Sequence, residues 1–182
     1  MNVNLVVFGK VGSGKTVLSH GLAAALGARW SGFGFTIKGI AAELGIPQTR
    51  EQLQTLGAKL VADDPEALCR RVIQEGEPQD KQCMVIDGLR HKSIHDTLSA
   101  MSKPRRLLCI FVAVPDDIRY ERLQKRDHIS VETIQELEAH STEAQVAGEL
   151  LQLADYIADN SGDLETTLRR ILGWIQTEKN KW

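Results

Sequence analysis

Residues 9–16 read Gly-Lys-Val-Gly-Ser-Gly-Lys-Thr, and these residue types at this spacing can hold phosphate. Gly9 stands four residues before Gly14-Lys15-Thr16, which fits the phosphate-cradling pattern G-x-x-x-x-G-K-[ST]. Gly9, Gly12 and Gly14 let the backbone turn its N–H groups inward, and Val11 and Ser13 lie between them in the same turn. Lys15 is expected to reach the β- and γ-phosphates of ATP, and the Thr16 hydroxyl to ligate Mg²⁺. Val17 continues the run into a helix whose N-terminus adds a positive dipole end. At ordinary residue frequencies a chain of this length matches the pattern by chance roughly half a per cent of the time.

A second set of side chains belongs to the same chemistry. Asp87 closes the apolar run "CMVID" and precedes Gly88. In an open α/β sheet ligands bind beyond the carboxyl ends of the strands. A carboxylate there can organise Mg²⁺ with Thr16, or accept a proton from an attacking hydroxyl. The plain alternative is an Asp that caps the next helix. Arg90, three residues on, can clamp an acceptor phosphate with its planar fork. Lys38 and Arg50 are further candidate acceptor-binding cations. Arg119, Arg122 and Arg126 are spaced i, i+3, i+7 and would share one side of a helix. Facing phosphates, Arg122 and Arg126 would stabilise the charge of a transferring phosphoryl group. Alone, such a stripe is a solvated basic face paired with Asp116, Asp117 and Glu121. "DNSGD" at 159–163 offers Gly162 and its exposed backbone to an adenine ring, or forms a simple turn. His140 is assigned no role.

These residues need elements to carry them. Strand-like apolar runs lie at 3–8, 83–87 and 107–114, with shorter candidates at 29–35 and 155–159. The run "VNLVVF" before the glycine loop is β-branched and apolar, as a buried parallel strand should be. After the loop, Val17, Leu18, Leu22, Ala25 and Leu26 recur at helical spacing until Gly27. Thr49 with Gln52 forms a capping-box pattern, Asp64-Pro65-Glu66 reads as a helix start, and Ser130 and Ser141 can cap further helices. Leu164, Leu168, Ile171, Leu172 and Ile175 fall on one face of a final helix. Strands alternating with helices predict a parallel α/β sheet, interrupted between its second and third strands by a helical stretch over about 36–80.

Bulk properties narrow the function. The 182 residues suffice for one domain that buries about 70% of its unfolded surface. A net charge of −2 gives no general reason to bind nucleic acid or an anionic membrane. No apolar run approaches membrane-spanning length, and the first residues lack a secretory pattern, so a cytoplasmic protein is expected. Cys69, Cys83 and Cys109 each sit among apolar neighbours and read as buried free thiols of a reducing compartment. The sequence leaves oligomeric state open.

Taken together, "GKVGSGKT", "VIDGLR", "RYERLQKRD" and "ADYIADNSGD" resemble the P-loop nucleoside and nucleotide kinase group. The tail from Arg119 to Ile175 is similar to dephospho-CoA kinase, with Arg122, Arg126 and Asp127 on its R-x-x-x-R-D pattern and Ala154, Asp155, Asn160 and Gly162 on its late "AD-x-x-I-x-N-x-G". Asn160 stands one place later than in that pattern. "VIDGLR" and "GIPQTREQLQTLGAKL" look instead like adenylate-kinase-like ATPases. The resemblance implies a three-layer P-loop fold with a five-stranded parallel sheet. Its core would span 1–35, 81–118 and 143–182, with an acceptor-binding insertion near 36–80 and a lid near 119–142. It implies an ATP- and Mg²⁺-dependent phosphotransferase acting on a nucleotide or nucleotide-like small molecule. One departure stands out. Where the group has an acid and an arginine, "GD-x-x-R", this chain has Phe35 and Lys38. The missing acid favours the other reading, an ATP-binding switch or accessory ATPase without a small-molecule acceptor.

Overall fold

The computed structural model describes residues 3–76, 83–138 and 148–179. Strand β1 (Val3–Phe8) is buried at every position but Asn4. Only the centre of a sheet covered on both faces accommodates such a run. β1 pairs in parallel with β3 (Met84–Asp87) on one side and β4 (Arg106–Ala113) on the other. β2 (Arg29–Gly32) and β5 (Tyr156–Asp159) flank these, giving the parallel five-stranded order β2-β3-β1-β4-β5. The direction of winding reverses at β1, so the crevice for a ligand opens where the glycine loop leaves that strand.

Alternation along β1 divides the core in two. Leu5 and Val7 pack with Leu18 and Leu22 of α1 (Lys15–Leu26) and with Ile171 and Ile175 of α8 (Leu164–Lys179). Val6 and Phe8 turn to the other face, against Leu68 and Val72 of α4 (Pro65–Glu75) and Ile94 and Leu98 of α5 (Lys92–Ser102). Each such side chain, fully withdrawn from water, stabilises the fold by about 1.5–3 kcal/mol before entropy is counted. Cys69, Cys83 and Cys109 are all free and buried in these layers. Burial pushes the Cys69 and Cys109 thiols up to about 12, which keeps them protonated and unreactive.

Helices α2 (Phe33–Glu43), α3 (Arg50–Asp63) and α4 fill the stretch between β2 and β3. The strand expected over 29–35 stops at Gly32, and Phe33 opens α2. Phe33, Thr36 and Ala41 are the buried residues of α2, a helical spacing that outweighs the aromatic content of "GFGF". The Thr49 and Asp64 side chains accept from the Gln52 and Ala67 N–H groups, capping α3 and α4. After β4 come α6 (Asp116–Asp127) and α7 (Val131–Glu138), the latter capped where Ser130 Oγ accepts from Thr133 N–H. Ser141 and His140 lie outside the described residues. Among the described residues no helix is long and apolar enough to cross a membrane.

Candidate nucleotide and acceptor site

The loop between β1 and α1 bends through left-handed backbone at Gly12 (φ 81°) and Gly14 (φ 78°). Sterics fix the choice of residue as firmly as conformation does. A Cβ on Gly12 would lie 2.9 Å from Leu123 Cγ, and one on Gly14 would lie 2.7 Å from Asn160 Nδ2. A loop that turns its N–H groups inward must turn carbonyls outward, and those need partners. The Val11 carbonyl accepts from Arg119 Nη1 at 2.8 Å, and the Ser13 carbonyl accepts from Asn160 Nδ2 at 2.8 Å. Ser13 is fully buried, and its Oγ has no hydrogen-bond partner among the described residues. Val17, in the first turn of α1, is exposed.

The β1–β3 register sets Val7 opposite Asp87, which brings the end of β3 beside the first turn of α1. Thr16 Oγ1 donates to Asp87 Oδ2 at 2.6 Å. Asp87 is only 7% exposed, and its Oδ1 has no hydrogen-bond partner among the described residues. Burial raises the Asp87 carboxyl above the ordinary carboxylate range, while Lys15, the Thr16 hydrogen bond and Arg90 pull it back. A buried carboxylate oxygen without a partner, next to a threonine hydroxyl, suits Mg²⁺. That ion takes one or two protein oxygens and completes its shell with water and phosphate.

A cleft of about 510 Å³ opens from this point towards α2 and α3. Lys15, Thr16 and Asp87 line one part of it, and Lys38 of α2, Arg50 of α3 and Arg90 of the β3–α5 loop bring further cations to its wall. Phe33, Ile37, Leu53, Val61, Leu68 and Ile94 make the wall largely apolar. Asp87 is the only acidic side chain lining the cleft among the described residues. Phe35 is 57% exposed and does not line it.

The arginines of α6 divide into distinct environments. Arg119 is 1% exposed, paired with Asp116 at 2.6 Å and bonded to the Val11 carbonyl, so it supports the loop from behind. Arg122 donates from Nη2 to the Asn160 carbonyl at 2.9 Å, and its Nη1 lies 3.7 Å from where a Cβ on Gly14 would sit. Arg126 is largely exposed and grips Asp127 with Nε and Nη2 at 2.6 and 2.7 Å. Asp127 is held below the usual carboxylate range, first by Arg126 and also by Arg50 of α3. Gly162 is exposed, and a Cβ there would meet open space. Arg122 therefore lies beside the loop, while the contacts of Arg126 are with Asp127. Asn160 carried no assigned role in the sequence, because its partners, Ser13 and Arg122, meet it only in the folded chain.

Comparison with known proteins gives a family and a fold. The family model described as an AAA domain matches residues 5–145. No curated protein sequence matches the chain. Among solved structures, shikimate kinase from Acinetobacter baumannii, in complex with shikimate, is similar at TM-score 0.61 and 18% identity, over 97% of this chain and 94% of that one. A gluconokinase from Sinorhizobium meliloti 1021 is similar at TM-score 0.52 and 18% identity, over 97% of each chain. An uncharacterized protein from Eubacterium ventriosum is similar at TM-score 0.59 and 12% identity, over 96% of this chain and 98% of that one.

Proposed function

The chain belongs to the AAA domain family and has a fold like that of P-loop kinases, and we propose that it is an ATP-dependent small-molecule kinase. One observation carries this reading. The phosphate loop, with Lys15, Thr16 and Asp87, opens directly onto a cleft of about 510 Å³ whose wall bears Lys38, Arg50 and Arg90. An ATPase that only hydrolyses or switches has no need of a second, cation-lined compartment beside its phosphates. The acceptor is a nucleotide or a nucleotide-like molecule. Its anionic group would meet Lys38, Arg50 and Arg90, and its body would lie on the apolar wall formed by Phe33, Ile37 and Leu53.

In this reading the β1–α1 loop, from Gly9 through Val17, binds the ATP phosphates, and the 159–163 turn with Gly162 borders the base. Thr16 and Asp87 would hold Mg²⁺, which when bound neutralises the phosphate oxygens. The acceptor oxygen attacks the γ-phosphorus as the bond to the leaving ADP oxygen breaks, and where that oxygen is a hydroxyl its proton passes to the Asp87 carboxylate. Lys15 and Arg122 face the charge that builds on the transferring group, and Arg126 joins them after leaving Asp127. The 36–80 region acts as the acceptor-binding part and 119–142 as a lid that excludes water. Residues 77–80, 81–82, 139–142 and 143–147 of these divisions lie outside the described residues. Three buried free thiols accord with a cytosolic setting.

The test is transfer of label from [γ-³²P]ATP to nucleoside monophosphates, dephospho-CoA, shikimate, gluconate and short oligonucleotides. Acceptor-dependent turnover with one of the nucleotide-like compounds is the expected result. Turnover of ATP that no acceptor accelerates would favour the switch or accessory ATPase, the reading to which the absent acid near Phe35 points.

A further inference from the structure

Two carbonyls of the phosphate loop are held from outside the loop, and the two donors differ in kind. Arg119, which holds Val11, belongs to α6 and is locked to Asp116 of its own helix. Asn160, which holds Ser13, follows β5 at the opposite end of the chain's core. Its backbone is fixed to the sheet, because Asn160 N–H donates to the Ala113 carbonyl at 2.9 Å. Its side chain is 6% exposed and stands where a Cβ on Gly14 would need to be. Its own carbonyl receives Arg122 Nη2 at 2.9 Å. A single residue thus touches the sheet, the phosphate loop and the arginine that stands beside Gly14.

We propose that Asn160 is a positioning residue of the nucleotide site, which ties Ser13 of the phosphate loop to Arg122 of α6 so that loop and arginine keep one fixed spacing. The proposal rests on the reading of the β1–α1 loop as a nucleotide site, and for Arg122 on its reading as a phosphate-facing cation. The physical logic is one of orientation. If the Ser13 carbonyl lost its donor, the peptide joining Ser13 to Gly14 would be free to rotate, since Gly14 in left-handed backbone offers no steric brake. Rotation of that peptide swings its N–H off the phosphate. Arg122 depends on the same arrangement, because a loop that swings its N–H off the phosphate also moves the phosphate away from Arg122, whose own acceptor, the Asn160 carbonyl, stays with the sheet. Among the described residues the neighbouring contacts of the loop do not duplicate this connection. Arg119 reaches Val11 but not Ser13, and the bond from Ser13 N–H to the Lys10 carbonyl, at 3.2 Å, stays within the loop.

The experiment measures ADP affinity by calorimetry, which needs neither an acceptor nor turnover. Asn160→Ala should weaken ADP binding by roughly 10- to 100-fold, the range for loss of one or two charge-assisted contacts. Arg122→Ala and the Asn160→Ala/Arg122→Ala pair complete a double-mutant cycle, in which the combined loss should fall clearly short of the product of the single losses. Amide hydrogen exchange gives a second readout. In Asn160→Ala the 12–15 amides should exchange faster while those of β1 do not. Parent-like ADP affinity in Asn160→Ala, unchanged exchange of the 12–15 amides, or fully multiplicative losses in the cycle would each overturn the proposal. Failure of the kinase reading looks different. Every acceptor would then stay unlabelled while ADP binding still responded to residue 160.

Discussion

Lys15 and Asp87 separate binding from folding at the level of single residues. Lys15 lines the cleft from the first position of α1 and contributes little to either apolar layer. Lys15→Ala is therefore expected to lower ADP affinity by about 10- to 100-fold, the usual worth of a charge-assisted contact, while the chain still folds and melts only slightly lower, because Asp87 loses the charge of Lys15. Calorimetry and a thermal melt on the same sample check both halves. Asp87 behaves in the opposite sense. Its carboxyl is raised in the folded chain, chiefly by burial, so its contribution favours folding at acid pH and is lost as pH climbs through the folded value. Asp87→Asn removes that loss. The variant should melt higher than the parent near neutrality, and the gap should close as pH falls into the carboxylate range. The same substitution should blunt the effect of Mg²⁺ on nucleotide affinity. A melting difference that is flat with pH would deny that ionising Asp87 is costly to the fold.

Between elements, the contact that matters most to the site joins α6 to the phosphate loop. Leu123 and Ile134 pack on Val11, Leu123 also presses against Gly12, and Arg119 braces the Val11 carbonyl. Replacing Arg119 by Leu leaves that carbonyl without its donor and Asp116 without its nearest cation. A loss of about 2–4 kcal/mol in chemical denaturation is expected, less than for an ion pair buried on both sides because Asp116 keeps contact with water. This contact also marks how far the sequence could be read. The order of strands and helices, the glycine loop and the caps at Thr49 and Asp64 rest on local pattern, and local pattern showed them. Arg119 has the same helical spacing as Arg122 and Arg126, yet it points into the protein. Nothing in an i, i+3, i+7 series says which member the neighbouring loop will cover. The start of α2 at Phe33 was hidden for a related reason, since two aromatics separated by glycine suit a strand until Phe33 and Thr36 are both seen to be buried. Asn160 depended on residues 147 positions away.

For the molecule as a whole, the question is what brings the last arginine to the phosphates. In this structure Arg126 is spent on Asp127, and Arg50 of the α2–α4 region also acts on that carboxylate. The carboxylate that holds Arg126 thus also feels a cation of the cleft wall. A bound γ-phosphate offers Arg126 the same forked geometry that Asp127 offers, with more negative charge. Substrates would then draw Arg126 inwards as the lid closes. If the protein is a kinase, Arg126→Ala should reduce the single-turnover rate of transfer by roughly 10²- to 10⁴-fold, because the charge it meets is greatest in the transition state. ATP affinity should change far less, since Arg126 is exposed and held by Asp127 in this structure. If the protein is only a switch, the variant should alter hydrolysis mildly and leave no acceptor-dependent rate to lose. The measurement uses saturating ATP and the best acceptor from the labelling screen. Transfer at the parental rate in Arg126→Ala would remove the lid from the chemistry and leave Lys15, Arg122 and Mg²⁺ to carry the charge of the transferring group.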